Sequence, residues 1–457
     1  MTPVSIDLAD IQGDILRAYG NRYPHTSYVF IGVGDAAHGR AWLSDRVDRV
    51  TTALPWADRR PESTFNVAVT RPGLVALGVP EATLDTFSAE FCQGMAGRAA
   101  ELGDVDQSAP AHWDSGLGTG EAHVLVTINA LDQSALQTAL GELRDGLEST
   151  DSLSILHEEH AQMFSGQREH FGFADGFSQP AIEGASDPDS ARGEGIPEAN
   201  GWRPLALGEF ILGHEDEESR TDSKRRLPSA PADPLGRNGT YMVWRKVRQD
   251  VALFRRTVRD ASRLYTAGDE AKLMAQVVGR WQNGAPLVNS PAAPPADFDP
   301  KAPGTNDFRY ADDPSGSRCP LGAHIRRSNP RDALGFEGKL TFRHRLIRRG
   351  MPYGPELAPG VTEDDGQERG LVFVCFNASI SRQFESIQRQ WLNDGNSFHL
   401  GGDTDFLLGG PSGKMTIQGD PPFFLAPQGP FTIIRGGEYL FVPGITALAA
   451  IADDVAG

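Results

Sequence analysis

"HVLVTINALDQSALQTALGELRDGL" (residues 123–147) contains the change of periodicity that decides the fold. Its first eight residues form an apolar run that is typical of a strand. Asp132 then caps a helix, and one stripe of this helix carries leucines at every third or fourth position, namely Leu136, Leu140, Leu143 and Leu147. A strand followed directly by such a helix predicts a helix that packs against a sheet.

The segments on either side of this unit extend the same alternation. Strand patterns occur in "TSYVFIGVG" (26–34), "FNVAVT" (65–70) and "LSILHEEHAQMF" (153–164). Helical patterns begin near residue 38 and cover roughly 80–101. The resulting order β-α-β-β-α-β predicts a ferredoxin-like unit, with helices packed on one face of an antiparallel sheet.

The second half of the chain repeats this organisation with longer insertions. Asp250 opens one amphipathic helix, and a later helix carries Phe384, Ile387 and Trp391 on one stripe. The strand-like segments are "GEFILG" (208–213), "GTYMVWR" (239–245), "GLVFVCFNA" (370–378) and "FTIIRGGEYLFVPG" (431–444). We therefore predict an α+β protein of two ferredoxin-like domains, residues 1–190 and 200–457, with a boundary within the polar segment 185–201.

Composition restricts the class of protein. The chain has 457 residues, 39% of them hydrophobic and 23% charged, which predicts a globular protein with more than one ordinary core. A formal net charge of -18 argues against a nucleic-acid partner. The three cysteines lie far apart and predict no disulfide framework. No signal peptide, twin-arginine motif or membrane span is recognisable, so we expect a cytoplasmic protein.

The segment "HEEH" (157–160) contains residue types that bind metals. Its surroundings alternate like a strand, and on a strand His157 and His160 project to opposite faces. The spacing is also not that of a helical zinc motif. We therefore do not predict a metal site at these residues.

Three other segments contain candidate catalytic residues. "HFGFADGFSQP" (170–180) places Asp175 among phenylalanines, either in a surface turn or as a buried carboxylate that needs a partner. His324 follows a Pro/Gly turn in "CPLGAHIRRSNPRD" (319–332), where a packed histidine is the ordinary alternative to a ligand. Arg348, in "RHRLIRRGMPYG" (343–354), ends an alternation that can turn it inward. An imidazole, an acid and a cation are the groups needed to cleave a peroxide on haem iron.

These three segments resemble known motifs. "GFADG" (172–176) matches the G-x-x-D-G signature of the dye-decolourising peroxidases, and the similarity extends through its flanks. The segment 319–331 resembles the motif that carries the family's haem ligand, and "LIRRGMPYG" (346–354) resembles the segment that carries its second catalytic residue. Other similar segments, beginning with "DIQGDIL" (10–16), extend the resemblance over about residues 8–450.

The resemblance implies a role for each matching residue. It implies that His324 is the axial ligand of one haem b per chain, and that Asp405 in "DTDFLLGG" (403–410) is its acidic partner. Asp175 takes the place of the acid/base on the other side of the haem, and Arg348 that of the neighbouring arginine. The other implied haem neighbours are Phe173 and Gly176.

The family's activity is the reduction of hydrogen peroxide, with oxidation of dyes, phenols or other one-electron donors through a ferryl intermediate. Mn(II) is a further candidate donor, because oxygen ligands of an acidic surface suit it. Bulky donors require an electron path from surface aromatics, for which Trp391 and Tyr353 are candidates by residue type. Ordinary packing is the alternative for both. The sequence leaves the oligomeric state open, a homo-oligomer included.

Two other functions fit the same fold. One is a haem-binding protein that stores or delivers haem, and the other is a dedicated enzyme that transfers oxygen to a small metabolite. A haem carrier needs only His324 and a pocket. The presence of both Asp175 and Arg348 therefore favours catalysis.

Overall fold

The computed structural model describes residues 6–19, 22–56, 59–148, 151–185, 194–198, 201–220, 230–410, 413–426 and 429–453. Within these ranges the strands are β1 (His25–Val33), β2 (Ser63–Val69), β3 (Val124–Ala130), β4 (Leu153–Gln162), β5 (Ile196–Glu198), β6 (Gly201–Arg203), β7 (Thr240–Gln249), β8 (Ile347–Arg348), β9 (Met351–Tyr353), β10 (Gly370–Asn377), β11 (Met415–Ile417), β12 (Phe423–Leu425) and β13 (Thr432–Val442).

The α-helices of the same ranges are α1 (Gly13–Leu16), α2 (Ala36–Ser44), α3 (Arg71–Ala76), α4 (Glu81–Leu84), α5 (Ala89–Gly97), α6 (Ala99–Leu102), α7 (Gln133–Glu148), α8 (Val251–Ser262), α9 (Glu270–Val278), α10 (His324–Ser328) and α11 (Ile445–Ala452). Two π-helical turns, Ser381–Glu385 and Ile387–Leu392, follow each other directly. We call the pair the 381–392 helix. Short 3₁₀ turns cover Val47–Arg49, Asp106–Ser108, Pro110–His112, Leu207–Glu209, Phe336–Gly338, Phe342–His344 and Asn396–Phe398.

Strands of both halves form one antiparallel sheet. The first half contributes the order β4-β1-β3-β2, and the second half contributes the equivalent order β13-β7-β10-β9, with β8 also paired to β10. Each half therefore has the strand order of a ferredoxin-like unit, which confirms the predicted fold class. The halves join where β13 pairs with β2 and where β4 pairs with β9, so that the sheet closes into a barrel.

The strand–helix unit that decided the fold is present as predicted. The Asp132 carboxylate accepts a hydrogen bond from the backbone NH of Ala135 (2.9 Å) at the start of α7. The four leucines of the α7 stripe are buried against the strands in one hydrophobic cluster. At the start of α8, Asp250 caps the helix in the same way through the NH of Leu253 (2.8 Å).

Several elements differ from the sequence prediction. The segment 208–213 is not a strand, because buried Glu209 accepts hydrogen bonds from Arg343 (3.2 Å) and Arg382 (2.9 Å) and holds a 3₁₀ turn in place. The helical region 80–101 is broken at Gly94, whose φ of +70° lies outside the helical range. The 381–392 helix is π-helical, a form that often occurs at functional sites.

The predicted domain boundary falls largely on residues 186–193 and 199–200, which lie outside the described residues. The division into 1–190 and 200–457 therefore stays a prediction. His157 is half-buried and His160 is exposed on β4, so they face opposite sides as expected. No helix of the described part combines the length and apolarity needed to span a bilayer.

Candidate active site

A large cavity lies beside the sheet, between α10, the 381–392 helix and the segment 171–178. With the space at its mouth included, it has a volume of about 1820 Å³. Its walls are mainly apolar, and the side chains include Phe173, Phe177, Ile325, Leu371, Phe373, Phe384, Ile387 and Leu392. Apolar walls with a few convergent polar groups are typical of a ligand pocket. The lining therefore suits a large apolar ligand such as a porphyrin.

His324 lines one side of the cavity, at the first residue of α10. Its Nδ1 lies 2.9 Å from Oδ2 of Asp405, which is fully buried. The other oxygen of Asp405 accepts hydrogen bonds from the backbone NH groups of Leu407 (3.0 Å) and Leu408 (2.9 Å). Asp405 is thus held as an acceptor for Nδ1–H, and Nε2 of His324 is left available to the cavity.

The electrostatics of this pair agree with its geometry. Burial acts to lower the pKa of His324, but the Asp405 carboxylate outweighs burial and raises that pKa above 6.5. For Asp405, burial acts to raise the pKa, and His324 outweighs it and lowers the pKa below 3.8. A fixed imidazole whose second nitrogen donates to a carboxylate is a strong ligand for iron.

Asp175 and Arg348 line the same cavity as His324. Nη1 of Arg348 lies 3.0 Å from Oδ1 of Asp175, and Nη2 donates to the carbonyl of Ser178 (3.2 Å). The turn that presents Asp175 depends on the glycines of the motif, since Gly172 and Gly176 have φ of +97° and +81°. The side chains of Asp175 and Arg348 are 41% and 36% accessible, and both face into the cavity.

Arg348 controls the charge of Asp175. Burial in the cavity wall acts to raise the pKa of Asp175, but the Arg348 guanidinium and the NH of Gly176 outweigh burial and hold the pKa below 3.8. His324 lowers the same pKa further from across the cavity. Asp175 is therefore a carboxylate that can accept a proton, next to a permanent cation.

Three buried arginines that the sequence analysis did not single out line one edge of the cavity: Arg280, Arg331 and Arg345. Arg280 donates to Oδ1 of Asn306 (2.7 Å), and Arg331 donates to the carbonyl of Asn306 (2.9 Å). The Arg345 guanidinium makes no hydrogen bond or ion pair with any residue that the structure describes. Two of the three lie within quoted motifs, but only the folded chain shows that they converge.

These arginines concentrate positive charge in one part of the cavity lining. Glu194 is among the acids near them, and burial raises its pKa to about 7 although the arginines oppose this. Burial also lowers the pKa of Arg345 to about 9 and that of Arg280 to about 10. A cationic edge on an otherwise apolar cavity fits the two carboxylates of a haem.

The remaining predicted residues lie in different surroundings. Phe173 is buried in the cavity wall, and Gly176 lines a smaller neighbouring cavity. The expectation that Trp391 and Tyr353 lie at the surface is wrong, since they are only 6% and 4% exposed. Trp391 packs edge-on against His344, whose side chain lines the large cavity, with ring centroids 4.9 Å apart. A role of either ring in electron transfer stays a prediction.

Comparison with known proteins identifies the family of this chain. Residues 10–163 match the family profile described as "DyP dimeric alpha+beta barrel domain", and residues 204–400 match "Dyp-type peroxidase, C-terminal". The chain is 31% identical to a dye-decolorizing peroxidase of Mycena epipterygia, over 98% of this chain and 87% of the relative.

Solved structures show the same similarity over the whole chain. The crystal structure of a fungal DyP-type peroxidase from Auricularia auricula-judae has 25% identity and a TM-score of 0.83, covering 99% of this chain and 100% of that chain. A dye-decolorizing peroxidase in complex with 2,6-dimethoxyphenol has 27% identity and a TM-score of 0.80, covering 98% and 100%. The chain therefore belongs to the dye-decolourising (DyP-type) family of haem peroxidases.

Proposed function

We propose that the large cavity binds one haem b per chain, with Nε2 of His324 as the axial ligand of the iron. The hydrogen bond from Nδ1 to buried Asp405 supports this assignment, because it fixes the ring and leaves Nε2 available to a metal. Arg280, Arg331 and Arg345 at the cavity edge would hold the two propionates. The bound haem supplies the electrons that reduce hydrogen peroxide to water.

Asp175 and Arg348 are proposed to activate the peroxide on the opposite side. Asp175 takes the proton of the peroxide oxygen that approaches the iron and returns it to the departing oxygen. Arg348 stabilises the negative charge that develops as the O–O bond breaks. The observation that carries this proposal is the 3.0 Å pair of Asp175 and Arg348 in the cavity that His324 also lines, since haem storage or delivery requires no such pair.

The electron donors are proposed to be dyes and phenols. The relative bound to 2,6-dimethoxyphenol supports phenolic donors. Trp391 and Tyr353 remain candidates for carrying electrons from donors too large to enter the cavity.

The described residues offer a poor binding site for Mn(II) as an electron donor. Asp114, His157 and Glu159 approach one another within 4.8 Å, as metal ligands do. However, the Lys246 ammonium lies 2.7 Å from Asp114 and 2.6 Å from Glu159, and it compensates their charge. We therefore propose organic donors rather than Mn(II).

We also propose a cytoplasmic location. The three cysteines Cys92, Cys319 and Cys375 are free thiols, and the last two are buried. Free thiols of this kind are typical of a reducing compartment.

Stopped-flow spectroscopy of the haem-loaded protein tests the proposed function. One equivalent of hydrogen peroxide is expected to change the haem spectrum rapidly, and two equivalents of a phenol should restore the resting spectrum. Slow bleaching without recovery would instead indicate a haem carrier. Peroxide labelled with heavy oxygen distinguishes the third function, because an oxygen-transfer enzyme places the label in its product.

Replacing Arg345 with Met tests the cationic edge. Since the Arg345 guanidinium has no described hydrogen-bond or ion-pair partner and would bind a propionate, its loss should increase the rate of haem transfer to excess apomyoglobin about tenfold to a hundredfold. Arg263→Met, at an exposed position on the surface, is the matched control and should leave this rate unchanged. Equal rates for both variants, with equal melting temperatures, would show that Arg345 does not hold the cofactor.

A further inference from the structure

A second, smaller cavity lies directly behind Arg348. We call it the side chamber, and its volume including its open end is about 620 Å³. Its polar lining includes Asp14, Tyr19, Asn129, Gln179 and Arg348. Arg348 lines both cavities, and Ala18, which is exposed to solvent, also lines the chamber. The chamber therefore adjoins both a solvent-exposed residue and a residue of the peroxide site.

Two buried polar atoms of the side chamber have no partner. Asp14 is 6% exposed, and its Oδ1 makes no hydrogen bond with any described residue. The hydroxyl of Tyr19, which is 3% exposed, has none either. Gly13 lets this hydroxyl come close, since a Cβ at Gly13 would lie 2.1 Å from it. Polar atoms that lack a protein partner and line a cavity with room for water are normally satisfied by water.

Arg349 links the backbone at Asp14 to the strand that carries Arg348. Its guanidinium donates to the carbonyls of Asp14 (2.9 Å), Ile15 (2.9 Å) and Arg348 (3.0 Å). Its hydrogen bonds therefore go to backbone oxygens. Among the described residues no cation lies within 4.0 Å of the Asp14 carboxylate. Asp14 is thus a buried acid without an ion-pair partner among the described residues. It lines the same chamber as Arg348.

The groups that face Asp14 leave it able to exchange protons near neutral pH. They are Arg349, Tyr19 and Tyr28, together with Arg17 near Tyr19. Burial raises the pKa of Asp14 to about 7, although Arg349 opposes this rise. Asp175, by contrast, has a lowered pKa and stays ionised. Of these two acids, only Asp14 is partly protonated at neutral pH.

The reduction of peroxide consumes protons as well as electrons: H₂O₂ + 2 H⁺ + 2 e⁻ gives 2 H₂O. Asp175 returns to the peroxide only the proton that it first removed from it. A one-electron donor that carries no proton leaves two protons to be taken from solvent. A buried acid that lines a cavity with room for water and is partly protonated at neutral pH meets this need.

We propose that Asp14 is the proton-loading residue of the peroxide site. It takes protons from solvent through the side chamber and passes them, by way of water bound at Gln179 and Arg348, to the oxygen left after O–O cleavage. Solvent then protonates the Asp14 carboxylate again. This inference rests on the proposed function, since it assumes that peroxide is reduced at the haem.

The first test measures protonation directly. Infrared titration of the haem-loaded protein follows the C=O band of protonated carboxyl groups through neutral pH. Asp14→Asn should lack one band that disappears in the wild type as the pH rises through about 7. The matched control is Glu438→Gln, because Glu438 is also buried with a pKa raised to about 7 but lines neither cavity. Identical spectra of Asp14→Asn and the wild type would show that Asp14 is ionised throughout and overturn the proposal.

The second test is kinetic and uses ferrocyanide, a donor that carries no proton. Asp14→Asn should lower kcat about tenfold while the KM for peroxide and the rate of the first spectral change with peroxide stay the same. Tyr19→Phe, which removes the other unpaired group without leaving a buried polar atom, should lower kcat by less. Wild-type activity should fall as the pH rises above about 7, where Asp14 loses its proton.

The outcomes separate this inference from the proposed function. An Asp14→Asn enzyme with the kcat of Glu438→Gln would overturn the proton-loading role. A slower first spectral change in Asp14→Asn would also overturn it, since Asp14 would then act by positioning Arg348. If the wild-type haem protein does not react with peroxide at all, the proposed function is wrong, and the proton-loading role of Asp14 is then wrong as well.

Discussion

His324→Ala is expected to purify with less than about a tenth of the haem that the wild-type protein binds. Replacing the outer partners of a metal ligand already weakens binding about tenfold to a hundredfold, so the loss of the ligand itself should cost at least as much. The cavity walls and the arginines at its edge would remain and retain a residual fraction. Haem content per chain, measured from the absorption of the extracted pyridine complex, checks the prediction.

Asp405→Asn is the control for this experiment, because it keeps the imidazole and removes the charge of its partner. In the wild type, Asp405 accepts the hydrogen bond from Nδ1 of His324 at 2.9 Å. The variant should still bind haem, but about tenfold more weakly, and its reduction potential should rise because the ligand is less basic. Stoichiometric haem with an unchanged spectrum in His324→Ala would show that another residue binds the iron.

The local elements of this fold could be predicted because each depends on nearby residues. Asp132 and Asp250 cap helices through NH groups three positions further along the chain, and the α7 leucine stripe repeats within one helix. Barrel closure could not be predicted in the same way. The two halves meet through the pairs Phe441–Val69 and Ala161–Tyr353, which are backbone contacts between distant edges. No side-chain pattern specifies such contacts.

In the candidate site, too, residues in local motifs could be predicted, whereas contacts between distant segments could not. His324, Asp175 and Arg348 stood out because each occupies a recognisable motif, and the fold places them around one cavity. Arg280 lies in no motif, and its role at the cavity edge depends on Asn306 and on neighbours from other segments. Trp391 was a candidate surface aromatic by residue type alone, and its burial agrees with the packing alternative that its stripe with Phe384 and Ile387 had favoured.

Arg348→Leu should slow the first reaction with peroxide about a hundredfold to a thousandfold while haem content stays close to that of the wild type. Leucine fills similar space but provides neither the positive charge nor the donors that stabilise the breaking O–O bond. Haem content should persist because His324 and the three buried arginines of the cavity remain in place. Stopped-flow rates at increasing peroxide concentration measure the effect, and an unchanged rate would exclude Arg348 from peroxide activation.

The pH dependence of the same variant identifies the proton acceptor. In the wild type, Arg348 holds the pKa of Asp175 below 3.8, so the carboxylate remains a base in mildly acidic solution, and the rate should fall only when the pH drops through that low pKa. Without the guanidinium, burial dominates and the pKa of Asp175 rises. The acid limb of the rate profile in Arg348→Leu should therefore move to higher pH, and in Asp175→Asn it should disappear. If the limb stays in place in both variants, another group takes the proton from peroxide.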